Sequence, residues 1–384
     1  MLVGTLIGRL PTAMAPLALL VVTTDEHGYL TASALASIYL LASALGGPLS
    51  GRFADRSGQT RAFTLGAALS STALIAVVAG PRNAAWAAGC VLVAGLTRPA
   101  LESGLRALWG TAQGSVMPTP AHQRKALALE TAAQELIYIA GPITVMAIAV
   151  AVSGNAALLT TAAVGLAGTA LLVSTPPSRS WRATPGRSDW LGPIRSARLR
   201  TLYLAMVGIG MPIGAITPLA VATGDRFHTP ALTGVLPAAL SVGAVLGGLL
   251  YGARIWSGTP GRHLTVLAWV FVASWLPLTA ASGPATAVTA AVVAGLPMAA
   301  VLNGGFVVTG DLAPGRSVTE AFALLVAALD IGCALGTGLA GLLPTTAILP
   351  AGTAIGAIVL TAVRHPASSC LQADRMPLPE GAHP

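Results

Sequence analysis

Charges, prolines and glycines cut the chain into twelve apolar stretches, near 2–22, 28–50, 62–80, 84–107, 126–150, 155–173, 201–222, 230–250, 264–281, 285–306, 319–343 and 346–363. A helix that crosses a bilayer needs about 20 residues, so twelve such helices use about 240 and leave the rest for short loops. Each stretch therefore predicts one span. The longest polar interval runs from Ser174 to Arg200 and holds Pro176, Pro177, Pro185 and six arginines. It divides six spans from six. The expected organisation is an N-terminal six-helix bundle over 1–173, a cytoplasmic linker over 174–200 and a C-terminal bundle over 201–363. A polar, proline-rich tail over 364–384 is expected to be disordered.

Composition strengthens this reading. Of the 384 residues 54% are hydrophobic and only 9% are charged. A soluble protein carries about 25% charged residues, so this chain could not cover a water-facing surface. That excludes a soluble enzyme of two or three domains, and excludes disorder more firmly. Gly and Ala at high density suit helices packed closely in a membrane. The net charge of +8 points to cytoplasmic loops rather than to nucleic acid, because such loops hold excess Lys and Arg. With both termini inside, 18 of the 21 Lys and Arg lie in cytoplasmic loops, tails or helix ends. Only Arg82 and Arg226 fall outside, and Arg98 sits within a span. Cytoplasmic termini follow. One lysine, Lys125, against twenty arginines suits a GC-rich bacterial genome, hence a bacterial plasma membrane. Cys90, Cys333 and Cys370 are too scattered for a disulfide framework or a metal site.

The two halves repeat. Pro11 and Pro212 are 201 residues apart, and Pro16-Leu17-Ala18 returns 202 later as Pro218-Leu219-Ala220. Gly46, Gly47, Leu49, Gly51 and Arg61 return at 201 as Gly247, Gly248, Leu250, Gly252 and Arg262. Gly95, Leu96 and Gly104 return at 200, and Ala126, Leu129, Ala133 and Gly141 return at 195 as Ala321, Leu324, Ala328 and Gly336. Four matches in one order mark a parallel duplication of a six-span half, which is a transporter architecture.

Between spans 2 and 3 the chain reads Gly51-Arg52-Phe53-Ala54-Asp55-Arg56-Ser57-Gly58-Gln59-Thr60-Arg61. This loop resembles motif A of the major facilitator superfamily, with Phe53 in place of an aliphatic residue and Gln59 and Thr60 in place of basic ones. With the twelve spans, the repeat and the central linker, the resemblance covers the chain. It implies an all-α membrane protein of two six-helix bundles that works by alternating access. Gly51 is expected to allow close helix approach and Gly58 a tight turn. Asp55, with Arg56 and Arg61, is expected to form a gating latch through helix N-termini or an arginine. The loop after span 8 has lost its acid, since Trp256 aligns with Asp55. Gly141-Pro142 is similar to the core of motif C of drug–proton antiporters, although Ile137, Val145 and Met146 replace its other glycines. Arg9-Leu10-Pro11 and Gly141-Pro142 also resemble actinobacterial exporters of the superfamily. Spans 1, 4, 7 and 10 line the cavity in this superfamily, so Pro11, Pro16, Pro212 and Pro218 are expected to kink equivalent helices as hinges.

Ionisable residues at membrane depth are costly and so mark function. Arg98, Glu102 and Arg106 stand at i, i+4 and i+8, which puts all three along one face of span 4 as a charge ladder. Glu102 then carries a proton beside Arg98, or the ladder is a structural ion pair. Glu135 and Asp330 occupy equivalent places, each ten residues beyond Lys125 or Glu320, which is about 15 Å along a helix. A carboxylate taken out of water holds a proton more readily, so these two are the leading candidates for proton coupling. Hydrogen bonding between the halves is the alternative. Glu130 and Glu320 suit helix N-termini, and Glu130 could instead reach Arg61 or Arg106 in a gate. Arg9 either snorkels to the cytoplasm or faces the cavity. Asn303 hydrogen-bonds either a substrate or a neighbouring helix.

The expected function is proton-coupled export of a small molecule by a monomer in the lipid bilayer. Uptake of a sugar or amino acid, or a non-transporting scaffold or sensor, are the alternatives. No cofactor is expected: Gly-x-x-x-x-Gly-Lys-[Ser/Thr] is absent. The six histidines show neither metal spacing nor a nucleophile dyad, so no enzyme and no metal centre is expected. The glycines between Gly332 and Gly341 read as close helix packing.

Overall fold

The computed structural model describes residues 2–102, 104–105, 120–180, 192–252, 259–312, 318–343 and 345–362; it does not describe the side chains of 55, 120–135, 192–193 and 318–320. The described residues are almost wholly helical. Spans 1 and 2 share the helix Leu2–Ser57, which turns back at Gly28, where φ is 78° and ψ 161°. Only a residue without Cβ takes that conformation at no cost. Span 3 is Gln59–Ala79, span 5 Pro120–Ala151, span 6 Gly154–Val173 and span 7 Ala197–Arg226. Span 8 is Leu232–Gly252, span 11 Val318–Leu342 and span 12 Ile348–Ala362. Seven of the helical segments are long and apolar enough to cross a membrane, the one over Leu2–Ala54 holding two spans.

Spans 4, 9 and 10 are discontinuous. Span 4 runs Ala84–Leu96, unwinds over Thr97–Ala100 and resumes at Leu101. Span 10 runs Pro284–Gly295 and resumes as Met298–Leu312, and span 9 splits into Pro260–Ser274 and Leu276–Thr279. Pro99 lacks an amide donor and disfavours helical geometry in Arg98, which explains the span 4 break. In span 10 Leu296 keeps helical geometry (φ −50°, ψ −47°) and Pro297 withholds only its amide donor. The backbone stays helical through Pro11, Pro16, Pro212 and Pro218. The helices are interrupted in spans 4 and 10 instead.

Polar backbone inside a membrane must find partners. At the span 4 break the Arg98 amide donates to the Gly95 carbonyl (3.2 Å) and the Ala100 amide to the Ser50 hydroxyl (3.1 Å). The internal repeat explains how the breaks are seated. A Cβ on Gly46 would strike the Leu96 carbonyl, and one on Gly247 would strike the Leu296 carbonyl. Ser70 donates to the Ala94 carbonyl (2.8 Å), and Ser274 does the same to Ala294 (3.3 Å). Each break is thus held by a glycine of the preceding even-numbered span and a serine of the odd-numbered one.

Among the described residues two large buried cores are accompanied by two small clusters in the N-terminal half. One large core draws its buried members from Met14 to Ala162, the other from Leu199 to Ala357. Span 11 serves both its own bundle and the seam between bundles. Gly332 and Gly336 lie against the Val207 and Met211 carbonyls of span 7, whereas Gly338 and Gly341 face Ser37 and Ser33 of span 2. At this seam Ser37 donates to the Ala334 carbonyl (2.6 Å) and Tyr29 to the Ala340 carbonyl (3.1 Å). A Cβ on Gly234 of span 8 would press on Met146 of span 5. The bundles therefore meet at the end that carries the Gly28 turn. At the end that carries the termini, a Cβ on Gly47, Gly51 or Gly252 would meet no described residue within 4 Å. The close approach expected at Gly51 is found at Gly46.

Two substitutions in span 11 separate these roles. Gly336→Leu drives a side chain into span 7 backbone, and overpacking of this kind costs about 3 kcal/mol. We expect little monodisperse protein and a lowered thermal midpoint. Gly341→Leu meets the Ser33 side chain of the other bundle and should leave each bundle folded. A cysteine at Ser37 in that variant should then react faster with a membrane-impermeant maleimide than it does in the parent.

Candidate functional site

Four charged residues of the spans, Arg9, Arg98, Glu102 and Asp330, come together where the bundles face each other. Arg9 of span 1 is buried, and its Nη2 lies 2.6 Å from Glu102 Oε2 in the second half of span 4. Arg9 thus neither snorkels nor stands alone. Arg98 sits on the unwound segment of span 4 and its Nη1 donates to the Thr12 hydroxyl of span 1 (3.0 Å). Because span 4 breaks between them, Arg98 and Glu102 do not share a continuous helix face. The step expected between Arg98 and Glu102 gives way to two contacts with span 1, and the step from Glu102 to Arg106 lies outside the described residues. Ion pairing of Arg9 with Glu102 offsets the cost of holding either charge away from water.

Span 11 brings Asp330 to this cluster from the other bundle, where the charges of Arg98 and Glu102 reach it. Tyr138 of span 5 lies within Coulombic range of Arg9, Arg98, Glu102 and Asp330 together. Among the described residues the set holds two cations, Arg9 and Arg98, and two carboxylates, Glu102 and Asp330. Thr12, Arg98, Glu102, Tyr138 and Asp330 are each partly exposed. Beside Arg98 a cavity of about 20 Å³, lined also by Tyr39, Ser70, Ser71 and Thr161, has room for one water.

Sequence reasoning missed Tyr138 and Thr12. Neither carries a charge, and their signal was positional: Tyr138 is one turn beyond Glu135, and Thr12 one residue beyond Pro11. Asn303 lies on the second half of span 10 with its side chain exposed. Glu130 and Glu135 lie on the span 5 helix, but their side chains are outside the described residues, as are those of Asp55 and Glu320. Arg106 and Ser103 are also outside them. Gly141 packs on Ala13 of span 1, and Pro142 lies inside the same span 5 helix.

The loop between spans 2 and 3 turns at Gly58, with φ 87° and ψ 151°, as a glycine there should. Gln59 departs from motif A, and the structure explains the departure. It is buried, donates to the Gly104 carbonyl (3.0 Å) and accepts from Ser178 (3.3 Å), which ties the turn to span 4 and to the short helix Pro176–Ser180. A charged residue could not be buried there at similar cost. Arg56 and Arg61 are exposed.

The sequence profile of the Major Facilitator Superfamily matches residues 1–337. The chain belongs to that superfamily. Among solved structures, a variant of the nucleoside transporter NupG superposes with TM-score 0.71 at 11% identity, over 94% of this chain and 98% of that one. The peptide transporter POT in complex with sulfate gives 0.70 at 15% identity, over 94% and 93%. The human organic anion transporter MFSD10 gives 0.64 at 15%, over 94% and 97%. At such identities the likeness is one of fold. No curated protein matches the sequence itself. This major facilitator chain is a transporter and a multi-pass membrane protein, not an enzyme.

Proposed function

We propose that this transporter exports a small molecule in exchange for protons across a bacterial plasma membrane, with both termini in the cytoplasm. The observation that carries the reading is the position of Asp330. It is an acid on one bundle, set among Arg98, Glu102 and Tyr138 of the other, at the level where an alternating-access machine exposes its site to each side in turn. A proton taken up or released at Asp330 changes the charge balance of the whole cluster, so protonation state and bundle arrangement are linked. Glu135, equivalent to Asp330 in the repeat, is the second candidate. Arg9 and Glu102 hold the N-terminal side of the site, and Pro11, Pro16, Pro212, Pro218 and Gly141-Pro142 act as hinge positions. Asp55, Arg56 and Arg61 gate the terminal end with Glu130.

With the termini inside, contact at the Gly28 end corresponds to an inward-facing state. Everted vesicles that are acid-loaded and carry a pH-sensitive dye test the proposal. Addition of a transported compound from a panel of amphipathic drugs and metabolites should release protons. Silence across the panel, with folded protein confirmed in the membrane, would direct attention to uptake instead.

A further inference from the structure

We infer that the groove between spans 2 and 3 at the Gly58 turn is a binding site for an anionic phospholipid of the phosphatidylglycerol type. The groove has a volume of about 560 Å³ and is lined by Phe53, Ser57, Thr60, Arg61, Thr64 and Leu65. Its two ends differ in chemistry. At the turn stands Arg61, exposed and, among the described residues, without an ion pair or hydrogen bond. Away from the turn, Arg61, Thr64, Leu65, Ala68, Leu69 and Thr72 follow one another at helical spacing along the exposed face of span 3. Leu65 and Leu69 are each 52% exposed, while Phe63, Ala67 and Leu74 on the opposite face are buried. On a membrane helix such a face meets acyl chains, and an arginine at its end meets the headgroup layer.

The hydroxyls refine the ligand. Ser57 donates its proton to the Phe53 carbonyl (2.7 Å) and Thr60 donates to Ser178 (3.5 Å), so both present lone pairs to the groove. The polar end therefore offers a guanidinium to an anion and oxygen acceptors to hydroxyl donors. A phosphodiester with a hydroxylated headgroup satisfies both. A choline headgroup would set a second cation near Arg61 and bring no donors. The apolar stripe continues beyond the polar end, which selects a lipid over a soluble phosphate.

The test is native mass spectrometry of the full chain released from detergent with equal amounts of phosphatidylglycerol and phosphatidylcholine of the same chain length. We expect phosphatidylglycerol to be retained preferentially. Arg61→Gln should lower that retention about fivefold, the loss expected for one basic residue at a membrane surface. Leu65→Glu should lower it with the guanidinium in place, which keeps the test open if Arg61→Gln fails to fold. Arg82→Gln, at the opposite end and 3.2 Å from Glu26, should leave it unchanged. Equal retention of both lipids, equal loss in Arg61→Gln and Arg82→Gln, or equal retention of glycerol 1-phosphate would overturn the inference.

Discussion

Asp330→Asn is expected to reduce transport driven by a pH gradient to background while the protein still folds. Asn fills nearly the same volume and keeps a polar end, so the packing of span 11 against span 7 at Gly332 and Gly336 is undisturbed. What it loses is the ability to hold and release a proton among Arg98, Glu102 and Tyr138. Exchange of labelled for unlabelled substrate at equal pH needs no net proton movement and should persist. Asp330→Glu should restore part of the driven transport. The paired assays separate coupling from folding: loss of both activities would indicate a structural role. Retention of pH-driven transport in Asp330→Asn would move the proton to Glu135 or Glu102.

The second large effect is on stability. Glu102→Ala removes the carboxylate that lies 2.6 Å from the buried Arg9 guanidinium. Breaking a buried ion pair by removing one partner costs about 3–5 kcal/mol. The Glu102 side chain keeps 32% of its surface exposed, so screening by water brings the expected cost down to about 2 kcal/mol. Thermal unfolding in detergent should show a clearly lowered midpoint. Glu102→Gln keeps an acceptor for Arg9 and should cost less. The double change Arg9→Met with Glu102→Leu should recover much of the loss, because no charge is left without its partner. The same experiment distinguishes the observed pairing from a ladder within span 4. A ladder would make Arg98→Met as damaging as Arg9→Met. The structure predicts a smaller loss for Arg98, which holds a hydroxyl at Thr12 rather than a carboxylate.

Much of the architecture was legible along the chain. Twelve apolar stretches announced twelve spans, since a bilayer imposes a length and a polarity on each segment by itself. The half-chain repeat was also linear, and the structure gives it physical content. Gly46 with Leu96 and Gly247 with Leu296 are the same contact made twice. Gly58 was readable because a tight turn after span 2 needs a positive φ, a demand on one residue. The glycines of span 11 were readable as packing residues, though not that Gly332 and Gly336 serve one partner and Gly338 and Gly341 another.

Partnership between charges was not legible. Spacing in span 4 suggested that Glu102 pairs with Arg98, four residues away, whereas its carboxylate meets Arg9, 93 residues away. The reason is the break at Thr97–Ala100, which turns the second half of the helix and voids the i, i+4 relation. Tyr138 joined the cluster from span 5, and Asp330 came to face it from the other bundle. The sequence by itself determined the number of spans, their repeat and the turn at Gly58, because hydropathy, duplication and backbone conformation act within a segment. Which side chains meet, and at which end the bundles touch, depends on each helix's rotation about its axis and on where it unwinds; only the tertiary structure decided these.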